Sequence, residues 1–191
     1  MTCQLTANLD DDDRHCLLQV ARNAIRHELY QCVPLEINAD DFSPNLRSVC
    51  ATFVTLCIED KLRGCIGSLE MHRPLVVDVG RNAAAAAFAD PRFSHLAREE
   101  FECIDIHISM LSQPEPVHFE SEADLLAQIR PCVDGLILTE STHRGTFLPD
   151  VWRQIEQPQK FLEHLKMKAG LPADYWSDSI QIHRYTTESI P

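Results

Sequence analysis

The stretch Leu62-Arg63-Gly64-Cys65-Ile66-Gly67 carries the residues best suited to chemistry. Read as a strand, it turns Leu62 and Ile66 toward the core and sets Arg63 beside Cys65 on the opposite face, about 7 Å apart along the chain. A guanidinium near a thiol favours the thiolate, the form that acts as nucleophile or ligand. Gly64 and Gly67 admit a close backbone or ligand. Cys65 and Arg63 are therefore the candidate catalytic pair. The plainer reading makes Cys65 a small buried hydrophobe, Arg63 an ion-pair partner and the glycines packing spacers.

Further candidates for substrate or partner binding surround that strand. Glu70, His72 and Arg73 lie between it and the next helix, and Asp90 and Arg92 flank Pro91 in a loop, where sites often gather on a rigid scaffold. Alternatively, Asp90 caps a turn, and Arg73 and Arg92 pair with surplus acids. Asp105 and His107 share one face of a later strand, but with no third partner to place they read as an exposed pair rather than a catalytic dyad.

The chain has 191 residues with 17 Lys plus Arg against 29 Asp plus Glu, a net charge of −12 with histidines neutral. That balance opposes unassisted binding to nucleic acid or an anionic membrane. No apolar run approaches the roughly 20 residues of a membrane span. The start, Met1 to Leu5, shows no basic segment followed by an apolar one, which predicts a cytoplasmic protein. The eight cysteines are scattered without Cys-x-x-Cys spacing, so reduced thiols, no metal site and no cofactor are expected. Gly-x-Ser-x-Gly, P-loop, Gly-x-Gly-x-x-Gly and His-Glu-x-x-His motifs are all missing, which removes the local signatures of hydrolases, nucleotide sites and zincins.

The elements that must position these residues follow from periodicity. Asp10 to Asp13 precede Cys16, Leu17, Val20, Ala21, Ala24 and Ile25 at helical spacing, placing acids at the positive end of a first helix. Val49 to Ile58 is apolar on both parities, predicting a strand covered on both faces, and Leu62 to Ser68 returns antiparallel after Glu59-Asp60-Lys61. Pro74 to Phe88 reads as a helix whose run Ala83 to Ala87 permits close approach to a sheet, stopped by Asp90-Pro91. Ile104 to Met110 alternates as a strand ended by Gln113 to Pro116. Ser121 and Asp124 cap a short helix through Arg130. A hairpin follows, with Leu136 to Glu140 and Thr146 to Leu148 around Ser141 to Gly145, then a helix over Pro158 to Ala169 and a last strand over Ile180 to Thr187. Hairpins with separated helices predict an α+β fold with a mainly antiparallel sheet and flanking helices.

Leu62 to Gly67 resembles the signature hexapeptide of the AMMECR-one family, and Ser68 to Leu75 is similar to its bacterial branch, AmmeMemoRadiSam system protein A. Asn82-Ala83-Ala84, Asp90-Pro91-Arg92-Phe93, Ile108 to Ser112 with Pro114-Glu115-Pro116, Gly145 to Pro149 and Leu165 to Leu171 resemble further family blocks in family order. His107 departs from the pattern, standing where an acidic residue is expected. The resemblance implies one AMMECR-type domain over 1–191, with a larger and a smaller subdomain and a loose segment over 1–13. It also implies partnership with a Memo-like protein and a radical SAM protein. Two functions follow as expectations: a component of such a system with an activated thiol at Cys65, or a non-catalytic binding module using the face around Arg63, Cys65, Glu70 and His72. A cleft converging on Cys65 favours the first and a flat apolar surface the second.

Overall fold

The acidic run at the start works as a helix cap. In a computed structural model that describes residues 9–191, Asp10 accepts the Asp13 backbone N–H at 2.8 Å and opens α1 (Asp11–Gln31). Residues 11–13, expected in a loose N-terminal segment, form its first turn, while residues 1–8 of that segment lie outside the described residues. Asp13 is itself buried and ties down the following loop by accepting from Ser43 Oγ at 2.6 Å and Asn45 Nδ2 at 2.9 Å.

The described residues divide into two compact units, 9–112 with 188–191, and 113–187. In the first, β1 (Ala51–Ile58), β2 (Lys61–Gly67), β3 (Asp105–Leu111) and β8 (Thr187–Ile190) form a sheet in the order β2-β1-β3-β8. α1 and α2 (Leu75–Phe88) cover one face, where Val54, Leu56, Ile106 and Ile108 pack with Leu17, Ile25, Val79 and Ala83. The opposite face of β1 is only half-buried at Phe53, Thr55 and Cys57, so the strand is not covered on both faces as its composition predicts. The close approach of α2 to β2 rests on Gly64, where an added Cβ would stand 2.1 Å from the Ala86 carbonyl oxygen. A short α3 (Arg98–Phe101), with no periodic signal in the sequence, leads into β3.

The second unit holds the sheet β4-β7-β5-β6, built from β4 (Glu115–Val117), β5 (Gly135–Glu140), β6 (His143–Phe147) and β7 (Gln181–Tyr185). α4 (Glu122–Gln128) and α5 (Pro158–Lys168) contribute Leu125, Phe161 and Leu165 to a core with Leu136, Leu138 and Ile182. Trp152 stacks on Phe161 with ring centroids 3.7 Å apart. β4 is an edge strand, the position in a sheet that tolerates Pro116. The hairpin turn tightens to Ser141-Thr142, with Ser141 at φ 54°, so β6 begins three residues earlier than expected. The predicted last strand over Ile180 to Thr187 is β7, and a further strand, β8, follows it in the other sheet. The fold is α+β with two antiparallel four-stranded sheets.

Candidate functional site centred on Cys65

β2 is the edge of the first sheet, and an edge strand presents unpaired backbone groups that proteins cover. Here the cover is a single ion pair. Asp90 Oδ2 accepts the Cys65 backbone N–H at 2.9 Å, and Arg92 Nη2 donates to the Cys65 carbonyl at 3.3 Å. Arg92 is joined to the same carboxylate through Nε at 2.9 Å and Nη2 at 2.7 Å. The two side chains thus imitate a neighbouring strand. Asp90 is buried, and the Arg92 guanidinium holds its carboxyl well below the usual carboxylate range, helped by the Cys65 and Arg92 backbone N–H groups. Arg92 is raised in turn, chiefly by Asp90 and in smaller measure by Cys65.

Because the Cys65 backbone bonds point outward, its pairing with Thr55 on β1 is a non-hydrogen-bonded one, the geometry that brings side chains closest. The Thr55 hydroxyl accordingly donates to Cys65 Sγ at 3.3 Å. Thr55 also faces His107 on β3, so Cys65, Thr55 and His107 form one row across the sheet, with His107 and Asp105 exposed.

The expected partnership of Arg63 with Cys65 does not form. Cys57 pairs with Leu62 and Leu56 with Gly64, leaving Arg63 as the extra residue of a β-bulge. A bulge breaks the two-residue period and re-aims side chains. Leu62 therefore stands 45% exposed instead of entering the core. Arg63 grips Glu100 with two hydrogen bonds, Nε to Oε1 at 2.8 Å and Nη2 to Oε2 at 2.9 Å, and Nη2 also donates to the His95 carbonyl at 3.3 Å. Its guanidinium lies 5.9 Å from the Phe93 ring centroid. The bond raises Arg63 and lowers Glu100. Arg63 thus joins Asp90 and Arg92 in holding the segment 90–100 against the edge of β2.

Other candidates divide between packing and surface. Gly64 makes room for α2, and a Cβ on Gly67 would stand 2.3 Å from both Phe53 Cγ and the Thr52 carbonyl oxygen, so both glycines are spacers. Glu70 and His72 are exposed, with His72 Nδ1 4.0 Å from Glu70 Oε2. Arg73 turns to Asp78, 3.2 Å away. Asp78 belongs to a buried network that the sequence reading missed: its Oδ2 accepts from Thr52 N at 3.0 Å, Thr52 Oγ1 at 2.7 Å and Asn82 Nδ2 at 2.9 Å. The available signal was Asp78 four residues before Asn82 on a helix whose other buried residues are apolar. A groove of about 510 Å³ lies along α1, lined by Asn23, Arg26, His27, Tyr30, Gln31 and Leu35, and none of the expected site residues borders it.

Among the described residues, no three His, Cys, Asp or Glu side chains are grouped to hold a metal ion, and no disulfide joins the cysteines. No helix of the described residues is long and apolar enough to cross a membrane.

Fold and site define an α+β protein that presents a clamped cysteine on the covered edge of an antiparallel sheet. The chain belongs to the AMMECR1 family, whose model matches residues 18–190. It is 37% identical over 184 residues to a protein of Methanothermobacter thermautotrophicus, with 95% of each chain covered. A protein of Thermotoga maritima is 39% identical over 138 residues, covering 71% of this chain and 74% of that one. The crystal structure of the uncharacterized protein PH0010 from Pyrococcus horikoshii superposes with a TM-score of 0.86 at 30% identity, covering 95% of this chain and 92% of that one.

Proposed function

We propose that this AMMECR1-family protein works through the thiol of Cys65, as a cytoplasmic component of a system of the AmmeMemoRadiSam type with a Memo-like protein and a radical SAM protein as partners. The observation that carries the thiol reading is the fixation of one half-buried cysteine on three sides, by Asp90 at its N–H, Arg92 at its carbonyl and Thr55 at its sulfur. A reacting group so held loses little freedom when it meets its target. Arg92, not Arg63, is the cation of this site. The partner assignment rests on family membership alone, and co-purification with the Memo-like protein encoded in the same genome tests it.

Reactivity resolved by cysteine tests the thiol reading. Burial pushes the Cys16 and Cys57 thiols up, with Asp13 adding to the first and Asp105 to the second. Cys65, half-buried like them, is expected to be alkylated several-fold faster than either by iodoacetamide at neutral pH in the native protein, read by mass spectrometry. A Cys65 slower than both removes the thiol reading.

The second reading, a non-catalytic module binding through the face around Arg63, Cys65, Glu70 and His72, draws on the exposure of Glu70 and His72. Under it, Cys65→Ser keeps partner binding, and Glu70→Ala with His72→Ala loses it.

A further inference from the structure

We propose that the Cys65 site takes an electrophile bearing a carboxylate, which Nη1 of Arg92 receives while the thiol meets the reactive carbon. The proposal rests on the thiol reading of Cys65 and adds to it a class of substrate and the residue that recognises it.

Asp90 and Arg92 form a pair whose two ends differ in what solvent can reach. The Asp90 side chain is 2% exposed and the Arg92 side chain 55%. Asp90 Oδ1 accepts from the Arg92 backbone N–H at 3.1 Å and from Nε at 2.9 Å, while Oδ2 accepts from the Cys65 N–H and from Nη2. Both carboxylate oxygens are thus filled from within the protein. On the cation, Nε and Nη2 are engaged by Asp90 and the Cys65 carbonyl, and the Phe93 ring lies 5.4 Å from the guanidinium carbon. Nη1 has no partner among the described residues, which leaves both of its N–H donors to a ligand. The pair is neutral in sum, yet it turns its positive end outward.

That end lies at the thiol. Arg92 Nη2 is 3.3 Å from the Cys65 carbonyl oxygen, and the sulfur belongs to the same residue. The other half-buried thiols stand in the opposite field, since Asp105 and Asp60 act on Cys57 and Asp13 acts on Cys16. On the sheet face that α1 and α2 leave uncovered, the Thr55 hydroxyl holds the sulfur. Along β2 from Cys65, the Phe53 ring fills the space that a side chain on Gly67 would take. An aromatic surface beside the sulfur and a cation at the strand edge suit a ligand with a short carbon body and one anionic end. One guanidinium, already facing Asp90, in a chain of net charge −12 favours a singly charged carboxylate over a phosphate.

Iodoacetate and iodoacetamide are the probes, because they differ by the carboxylate and share one reaction. The Cys65 sulfur, its proton lost to solvent, attacks the CH2 carbon, the C–S bond forms and iodide leaves with the electrons of the C–I bond. Rates at each cysteine are read by peptide mass spectrometry on the native full-length protein at neutral pH. Dividing the iodoacetate rate by the iodoacetamide rate cancels the thiolate content of each cysteine and leaves recognition of the carboxylate. The expected ratio at Cys65 is several-fold above those at Cys16 and Cys57. The three ratios converge in about 0.5 M KCl, which screens charges beyond a few ångströms, and this arm needs no substitution. In Arg92→Gln, shown to be folded by circular dichroism melting, the Cys65 ratio falls to that of the other two.

A Cys65 that outpaces Cys16 and Cys57 with iodoacetamide but shares their ratio overturns the carboxylate site and leaves the thiol reading standing. A raised ratio that survives in folded Arg92→Gln, or that persists in salt, overturns the assignment to Arg92. A Cys65 slower than both with iodoacetamide removes the thiol reading, and the substrate class falls with it.

Discussion

At the scale of residues, the site is governed by two arginine–carboxylate pairs with different tasks. Asp90 with Arg92 substitutes for a missing strand at Cys65, and Glu100 with Arg63 anchors the segment that carries Asp90. Both carboxyls are held below their ordinary values of 3.8 and 4.5 by their arginines. A depressed folded value means that the unfolded chain takes up the proton first as the pH falls. The stability from these pairs is therefore fully present above about pH 5 and is lost progressively below the ordinary carboxylate values. Asp90→Asn is expected to cost about 1–3 kcal/mol at neutral pH, because the charge-assisted bonds to Arg92 and to the Cys65 N–H weaken. It should also flatten the acid limb. Urea denaturation of parent and variant between pH 3 and 7 measures both effects, and a variant as acid-sensitive as its parent would place the linkage elsewhere.

At the scale of elements, α1, α2, α5, both hairpins and the alternating β3 were legible because each buries one stripe or one face, and burial of that kind writes a period into the sequence. What failed to show has physical causes. The Arg63 bulge is invisible in composition, yet one extra residue turned Leu62 outward and took Arg63 away from Cys65. The turn-like Gln113-Pro114-Glu115-Pro116 concealed β4, since an edge strand of three residues tolerates proline and has no repeat to display. β8 did not show because Thr187-Glu188-Ser189-Ile190 holds a single apolar residue and so no repeat, and periodicity does not report which sheet a strand joins. Of the site itself, Cys65, Asp90 and Arg92 were legible as candidates. Thr55 was not, because the register that sets it against the sulfur depends on long-range pairing.

At the scale of the whole molecule, two units each carry a core of their own, one over α1, α2 and the first sheet, the other around Trp152 and Phe161. Charge is a property of the full chain, and at −12 it repels polyanions. Several of the local cations that might offset this are engaged, as Arg63, Arg73, Arg92 and Arg130 all face carboxylates. Binding to RNA is accordingly expected to be weaker than micromolar at physiological salt and to vanish as salt rises. A fluorescence anisotropy titration with a labelled single strand checks it, and micromolar binding there would contradict it.

The central claim is that Arg92, through its place beside Cys65, serves the thiol, while Arg63 serves the fold through Glu100. The rate of Cys65 alkylation in Arg92→Gln and in Arg63→Gln, followed by mass spectrometry at neutral pH on variants shown by melting to be folded, decides between them. The account predicts a several-fold slower Cys65 in Arg92→Gln and a rate close to that of the parent in Arg63→Gln, with the cost of the latter appearing in its melting temperature. A Cys65 slowed by loss of Arg63 and untouched by loss of Arg92 would contradict it.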